Sequence, residues 1–149
     1  LAHTQSPQDP WPTLGSLVTS NRRLLVFTDA PAGGPDWMLD VWEHAFETSF
    51  SVKFPDQFTC DPNRGEVSNS LFILNHFLST PFADPDGADE INTHEFVRDR
   101  ALGCWETHEK RPNFITVDFV TKGDAMAAIH ELNQAEAPTD RTEHRARRR

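Results

Sequence analysis

The chain has 149 residues, of which 37% are hydrophobic and 25% are charged, so it can bury the core of one globular domain. Its formal net charge of −9 argues against a surface that wraps nucleic acid or lies on anionic lipid. No apolar run approaches the roughly 18 residues that a membrane-spanning helix needs, so we expect no transmembrane segment.

The N-terminal part is predicted to contain a linker, a helix and a strand. The chain begins with Leu1 rather than methionine and shows no signal segment, so we expect a processed protein or a fragment. Residues 1–10 are polar and contain two prolines, which is typical of a linker. Pro12 is well placed to open a helix from Thr13 to Ser20. The apolar run from Leu24 to Thr28 is typical of a buried parallel strand.

The middle of the chain is predicted to hold one helix and one strand. Asp36 can cap a helix from Trp37 to about Glu47, whose apolar residues recur at helical spacing. Residues 51–69 are rich in proline, glycine and polar side chains and are predicted to be irregular. The run from Leu71 to Leu74 predicts a second buried strand.

The last part continues the alternation. Residues 81–90 are predicted to be a loop, which precedes a helix capped by Asn92 or Thr93 and ending near Glu109. A third strand is predicted from Phe114 to Val120, followed by a helix from about Asp124 to about Leu132. Residues 135–149 are rich in arginine and are predicted to form a disordered basic tail.

Alternation of helices and strands predicts an α/β protein with parallel strands and right-handed crossovers. Two arrangements fit this order: part of a (β/α)₈ barrel, or a small doubly wound sheet. Three strands are too few to close a barrel, which needs roughly 250 residues in full.

Three segments, taken in order, carry a family resemblance. They are WPTLGSLVTSNRRLLVFTD (11–29), SLFILNHF (70–77) and RPNFITVDFV (111–120), the last followed by Gly-Asp at 123–124. In this order they resemble the later βα units of the phosphatidylinositol-specific phospholipase C X-domain-like family, which includes fungal, plant and bacterial phospholipase C-like phosphodiesterases.

The resemblance implies that residues 11–134 are the C-terminal half of a TIM-type barrel that cleaves phosphodiesters. In that family two histidines act as general acid and base, and they lie on strands of the first half. No histidine of this chain falls in a segment that matches the motifs of those two histidines, so the resemblance implies a phosphoric diester hydrolase of lipid metabolism without its catalytic histidines. A complete form would act on a phosphodiester such as an inositol phospholipid, without a cofactor. The alternatives are a non-catalytic α/β binding module and a truncated product without activity.

Polar side chains end or interrupt each predicted strand. Asp29 follows the first, Asn75 follows the second, and Asp118 interrupts the third. Active sites of barrels lie at the carboxyl ends of the strands, so we predict a supporting catalytic role for Asp118 and substrate-binding roles for Asp29 and Asn75. The alternative is that each caps a loop or binds a neighbouring backbone group.

Other candidate sites are weaker. His76 should point to the face opposite Asn75, and we expect a structural histidine packed against the helices. The acidic residues of the loop at 84–90 faintly resemble a calcium loop but lack its register, which favours a solvated loop. No spacing of histidines and cysteines is typical of a zinc site, so we predict no metal.

Two further expectations concern the two cysteines and the sheet edges. If the protein is exported, as the resemblance favours, Cys60 and Cys104 should form a disulfide; two separate thiols are the alternative. The edges of a half-barrel are uncovered, so we expect self-association. By strand alternation the inward-facing side chains are Leu25, Phe27, Leu71, Ile73, Phe114 and Thr116.

Overall fold

A computed structural model of the chain describes residues 1–30, 34–79 and 84–138, which form two compact units. The first unit comprises Leu1–Glu47 and Pro62–Phe72, and the second comprises Thr48–Asp61 and the chain from Ile73 onward. In chain order the elements are α1 (Leu14–Thr19), β1 (Val26–Thr28), β2 (Met38–Asp40), α2 (Val41–His44), β3 (Ala45–Thr48), a 3₁₀ turn (Pro55–Gln57), β4 (Pro62–Arg64), β5 (Leu71–Asn75), α3 (Pro85–Ile91), α4 (His94–His108), β6 (Phe114–Thr116) and α5 (Ala125–Leu132).

The strands form two sheets. β1 pairs with β2 in parallel, with Phe27 opposite Leu39. The remaining strands form a four-stranded sheet in the order β4-β3-β5-β6, in which β5 and β6 are parallel and Asn75 lies opposite Thr116. The protein is therefore mixed α/β with parallel strands, as predicted, and the second and third predicted strands pair with each other. The first predicted strand pairs with β2, a strand that the sequence analysis did not foresee.

The start of the chain corrects the predicted linker. The amide of His3 donates to the carbonyl of Leu24 at 2.9 Å, and the amide of Leu24 donates to the carbonyl of Leu1 at 3.0 Å. These bonds hold residues 1–3 beside the segment that leads into β1, so this part of 1–10 is paired. The strand itself begins at Val26, two residues later than predicted.

The predicted helix from Trp37 to Glu47 is wrong. The side chain of Asp40 accepts a hydrogen bond from the amide of Trp42 and starts one helical turn, α2, between two strands. The chain becomes extended at Ala45, with φ −130° and ψ 160°, and every residue of β3 is buried. Burial on both faces favours a strand, and it overrides a spacing of apolar residues that also fits a helix.

The described part of the predicted loop 81–90 also differs, because residues 85–91 form helix α3. Asp84 caps this helix by accepting from the amide of Gly87 at 2.9 Å, and Pro85 occupies its first turn. Residues 80–83 lie outside the described residues, as do residues 139–149, which include most of the predicted tail.

Helices α4 and α5 confirm two predictions. Thr93 caps α4, and Glu109 ends it in the left-handed region with φ 50°. β6 is shorter than predicted because the chain turns at Phe119, whose φ is 49°, and at Gly123, whose φ is 65°. A Cβ at Gly123 would lie 2.4 Å from the carbonyl oxygen of Asn92, so glycine permits this close approach.

The core of the second unit lies where α4 and α5 meet β6. Val97, Ala125 and Ala128 are buried together, and Ile115 and Val117 pack against them. This packing holds β6 against the two helices and so fixes the segment that carries Thr116 and Asp118. Among the described residues, none of the helices is both long enough and apolar enough to cross a bilayer.

Candidate functional site

The structure places the three predicted site residues in different surroundings. Asp29 lies in the first unit, exposed and directly after β1. Asn75 and Asp118 lie in the second unit: Asn75 is the last residue of β5 and is buried, whereas Asp118 is exposed two residues beyond β6. Asn75 and the segment before Asp118 are thus on neighbouring strands.

The side chain of Asn75 joins the ends of three strands. Its Nδ2 donates to the carbonyl of Thr48 at 2.8 Å, and its Oδ1 accepts from the hydroxyl of Thr116 at 2.8 Å. Its amide donates to Thr48 Oγ1 at 3.1 Å, and its carbonyl accepts from Arg100 Nη1 at 2.8 Å. Because both ends of the amide are engaged by protein, Asn75 fixes the ends of β3, β5 and β6.

His76 is buried on the other face of β5, as expected for a structural histidine. It is 0% exposed, and its ring stacks on Phe58 with centroids 5.1 Å apart and meets the edge of Phe96. Arg100 Nη1 lies 3.2 Å from Nδ1, so Nδ1 accepts and Nε2–H donates to the carbonyl of Ile91 at 2.9 Å. The pKa of His76 is lowered to about 4, chiefly by burial; the hydrogen bond to the carbonyl of Ile91 raises it and the positive charge of Arg100 lowers it by smaller amounts.

Arg100 is the residue of this cluster that the sequence analysis missed. Its guanidinium lies 4.3 Å from the ring centroid of Phe58, and its Nη2 donates to the carbonyl of Thr59 at 3.3 Å. With the bonds to Asn75 and His76, its acceptors among the described residues are all neutral, and its buried Nε has no partner among them. Burial lowers the pKa of Arg100 to about 10, which still leaves it charged at neutral pH.

A signal for Arg100 was present in the sequence. Val97, Ala101, Cys104 and Trp105 are the buried positions of α4, and they recur at the spacing of one helix face. Arg100 is three residues after Val97 and four before Cys104, so it lies on that face. An arginine on the apolar stripe of a helix indicates a buried cation with a defined set of acceptors.

The segment that carries Phe58 and Thr59 is fixed to α4 by covalent and polar contacts. Cys60 and Cys104 form a disulfide with a Cα–Cα distance of 5.2 Å, which decides between the two alternatives left by the sequence. His108 Nε2 lies 2.6 Å from the carbonyl of Cys60. Phe58 is therefore held between the His76 ring and the Arg100 guanidinium.

Beyond β6, backbone and side-chain contacts fix the turn after Asp118. Asn92 Nδ2 donates to the carbonyl of Asp118 at 2.8 Å, and the amide of Asp124 donates to the carbonyl of Asn92 at 2.8 Å. The carboxylate of Asp118 is on the exposed side of this turn, so the side chain can reach a bound molecule.

The acidic segment at 84–90 contributes to local structure. Asp84 caps α3, and Asp89 accepts from Lys122 Nζ at 2.8 Å and from the amide of Gly123 at 3.1 Å. The hydrogen bond from Lys122 lowers the pKa of Asp89. Lys122, the cation that follows the third strand, is thus paired with a carboxylate. Within the described ranges, no three His, Cys, Asp or Glu residues are grouped so that they could hold a metal ion.

Together these contacts form a rigid support beside one exposed carboxylate, that of Asp118. Asn75, His76 and Arg100 fix strand ends and a covering loop, and His76 is too buried to exchange protons with a substrate. Asp118 is the predicted site residue of this unit that remains exposed. The arrangement can orient a polar group at the end of β6, but general acid and base catalysis would need groups from elsewhere.

Comparison with known proteins identifies the family. A family model described as PI-PLC X 1 matches residues 2–133. The chain is 30% identical, over 136 aligned residues, to "PI-PLC X domain-containing protein 1" of Arthroderma benhamiae, an alignment that covers 83% of this chain and 45% of the relative.

Alignments with two further relatives also cover most of this chain but only part of the relative. A PI-PLC X domain-containing protein of Arabidopsis thaliana is 29% identical over 139 residues, covering 87% of this chain and 32% of the relative. An "Uncharacterized secreted protein" of Arthroderma benhamiae is 24% identical over 143 residues, covering 83% and 32%. The chain thus spans less than half the length of these curated relatives, and no solved structure matches it significantly. Because the family model covers most of its length, the chain belongs to the PI-PLC X domain family.

Proposed function

We propose that this chain is the supporting half of a phospholipase C-like phosphodiesterase: it shapes one side of the active site and does not supply the acid and base. The observation that carries the proposal is the network of Asn75, which fixes the ends of three strands beside the exposed Asp118. In the complete protein these units would form part of a TIM-type barrel acting on a phosphodiester such as an inositol phospholipid. Membership of the PI-PLC X domain family supports this proposal.

The roles of the three predicted residues differ under this proposal. Asp118 would orient a catalytic group or accept a hydrogen bond from a substrate hydroxyl, because it is exposed at the end of β6. Asn75 would act indirectly, because its amide is engaged by Thr48 and Thr116. Asp29, exposed after β1, would contact substrate only in the complete protein.

An extracellular location is part of the proposal. The Cys60–Cys104 disulfide supports it, because disulfides form and persist in oxidising compartments. The printed name of one relative, a secreted protein, supports it as well.

The test is an assay of the purified, oxidised chain with phosphatidylinositol and with a generic bis-phosphodiester, each with and without calcium. We expect no turnover, because a missing general acid and general base remove roughly 10²–10⁴-fold each. Turnover that is lost in Asp118→Ala would contradict the proposal, since this chain would then hold a complete site.

A binding measurement separates the proposal from the alternative of a product without function. Inositol 1-phosphate added to the ¹⁵N-labelled chain should shift the amide resonances of Asp118 and of the turn that follows it. The shifts should decrease in Asp118→Ala and persist in Asp99→Ala, a change at an exposed acid on α4 that serves as the control. An unchanged spectrum would favour the truncated product.

A further inference from the structure

A cleft of about 410 Å³ lies in the second unit between α4, α5 and β6. Its volume is within the range of roughly 300–1,000 Å³ that is typical of ligand sites. Most of its wall is apolar, and the residues that line it include Trp105, Arg111, Phe114, Met126 and Ile129. Phe114 is 40% exposed and Met126 is 61% exposed, so large apolar side chains at the wall remain in contact with solvent.

The charge of the cleft is opposite to the charge of the protein. Among the residues that line it, Arg111 is the charged one, and no aspartate or glutamate contributes. The chain as a whole carries −9. A single cation beside an apolar wall in an acidic protein selects for an apolar molecule with an anionic end.

Arg111 is held in a fixed position. Its guanidinium lies 5.2 Å from the ring centroid of Trp105, and its Nη2 donates to the carbonyl of Leu132 and to Asn133 Oδ1. Both hydrogen bonds use Nη2, so within the described residues Nε and Nη1 are left to donate to a ligand. A guanidinium fixed in this way loses little conformational freedom when it binds a carboxylate or a phosphate.

We propose that this cleft binds an amphiphile that consists of a single apolar chain with an anionic head, which is either a carboxylate or a phosphate monoester. The chain lies against Ile129, Phe114 and Met126, and the head accepts hydrogen bonds from Arg111. Arg111 precedes β6 and Phe114 begins it, whereas Asp118 lies beyond its end, so the cation of this cleft and Asp118 lie near opposite ends of β6.

Calorimetric titration of the oxidised 149-residue chain with four ten-carbon probes, each below its micelle concentration, tests the proposal. The probes are decanoate, decyl phosphate, decanol and decyltrimethylammonium. We expect one or both anions to bind at least about tenfold more tightly than the cation, because the cation would face Arg111. The two anionic arms also distinguish a fatty carboxylate from a phosphate monoester as the preferred ligand.

Two variants at one exposed position locate the site. Met126→Glu places a negative charge at the wall and should weaken binding of the anions by about tenfold or more. Met126→Gln has a similar shape and loses the same apolar contact without adding a charge, so it should weaken binding of the anions clearly less than Met126→Glu does. In the unchanged protein, each added methylene in a series from hexanoate to decanoate should raise affinity up to about fourfold.

Three results would overturn the proposal. Equal affinity for all four probes would show that the cleft is only an apolar patch. Equal weakening, or none, by both substitutions at Met126 would place the binding elsewhere. A dimer that dissociates in Met126→Glu during sedimentation would show that the cleft is an interface between copies of this chain.

Discussion

Arg100 brings a positive charge into a part of the second unit that offers only neutral acceptors. Burying a charge without a counter-ion is costly, and here the cost is offset by hydrogen bonds to carbonyls and by the Phe58 ring. The same guanidinium fixes the tautomer of His76, because it donates to Nδ1. Arg100 therefore links the end of β5 to the loop that covers it.

Acid should destabilise the protein through His76. The pKa of His76 is about 4 in the folded state and about 6.5 when unfolded, so between these values only the unfolded state binds the proton. The contribution of His76 to the free energy of unfolding is fully present above about pH 6.5. It is lost as the pH falls towards 4, and the loss is up to about 3 kcal/mol. We expect the free energy of unfolding, measured with urea from pH 7 to pH 4, to fall in this way, and to fall less in His76→Gln.

Subtracting the pH dependence of His76→Gln from that of the unchanged protein removes the contribution of carboxylates, which also titrate in acid. His44 has a lowered pKa through burial and adds a slope of the same sign, so His44→Gln in both backgrounds is the second control. An identical pH dependence in the unchanged protein and in His76→Gln would contradict the assignment.

At the scale of elements, the predictions that succeeded rest on strong local signals. α4 and α5 have caps and a buried face, and β5 is a continuous apolar run. The prediction of a helix over 37–47 was wrong because its apolar spacing fits the period of a strand as well as that of a helix. The burial of every residue of β3 favours the strand. α3 was missed because proline, glycine and aspartate suggested a loop, although Asp84 and Pro85 also make a helix start.

The candidate site also combines features that a local sequence pattern predicts with contacts that only the folded chain shows. The sequence predicts that Asn75 follows one strand and that Asp118 interrupts another, because polar residues beside or within apolar runs are a local pattern. It does not show that Thr48 and Thr116 would engage the Asn75 amide, since these contacts join residues that are far apart in the chain. Arg100 depends on contacts of the same kind, with Thr59 and Asn75.

The loop that ends at Cys60 should depend on its disulfide. The bond joins residues that are 44 positions apart, which in the chain-entropy model stabilises the fold by about 4 kcal/mol. We expect Cys60→Ser/Cys104→Ser to unfold at a lower urea concentration, with its free energy of unfolding reduced by about this amount. The unchanged protein under a phosphine reductant should behave like the double variant, and a loss below about 1 kcal/mol would contradict the prediction.

At the scale of the whole molecule, exposed apolar surface and net charge act in opposite directions. Leu14, Val18, Phe54, Val120 and Met126 are each more than half exposed. β4 and β6 are the outer strands of the four-stranded sheet, and outer strands can pair with other chains. Repulsion between chains that each carry −9 opposes this contact.

We therefore predict self-association that increases with salt. Screening shortens the reach of the repulsion to about 8 Å near physiological ionic strength and leaves the apolar attraction in place. Sedimentation velocity over a range of protein and salt concentrations should show dimers or larger species at higher salt. A monomer under all conditions, with a sharp cooperative melt, would contradict the prediction.

The disulfide also constrains how the chain can be made. During synthesis Cys60 leaves the ribosome 44 residues before Cys104, which at about 5–20 residues per second leaves it without its partner for roughly 2–9 seconds. Because this chain contains two cysteines, it has a single possible internal pairing and no internal mispairing. When these 149 residues are produced alone, the wrong disulfides open to them are therefore those between molecules, and their yield should depend on how crowded the nascent chains are.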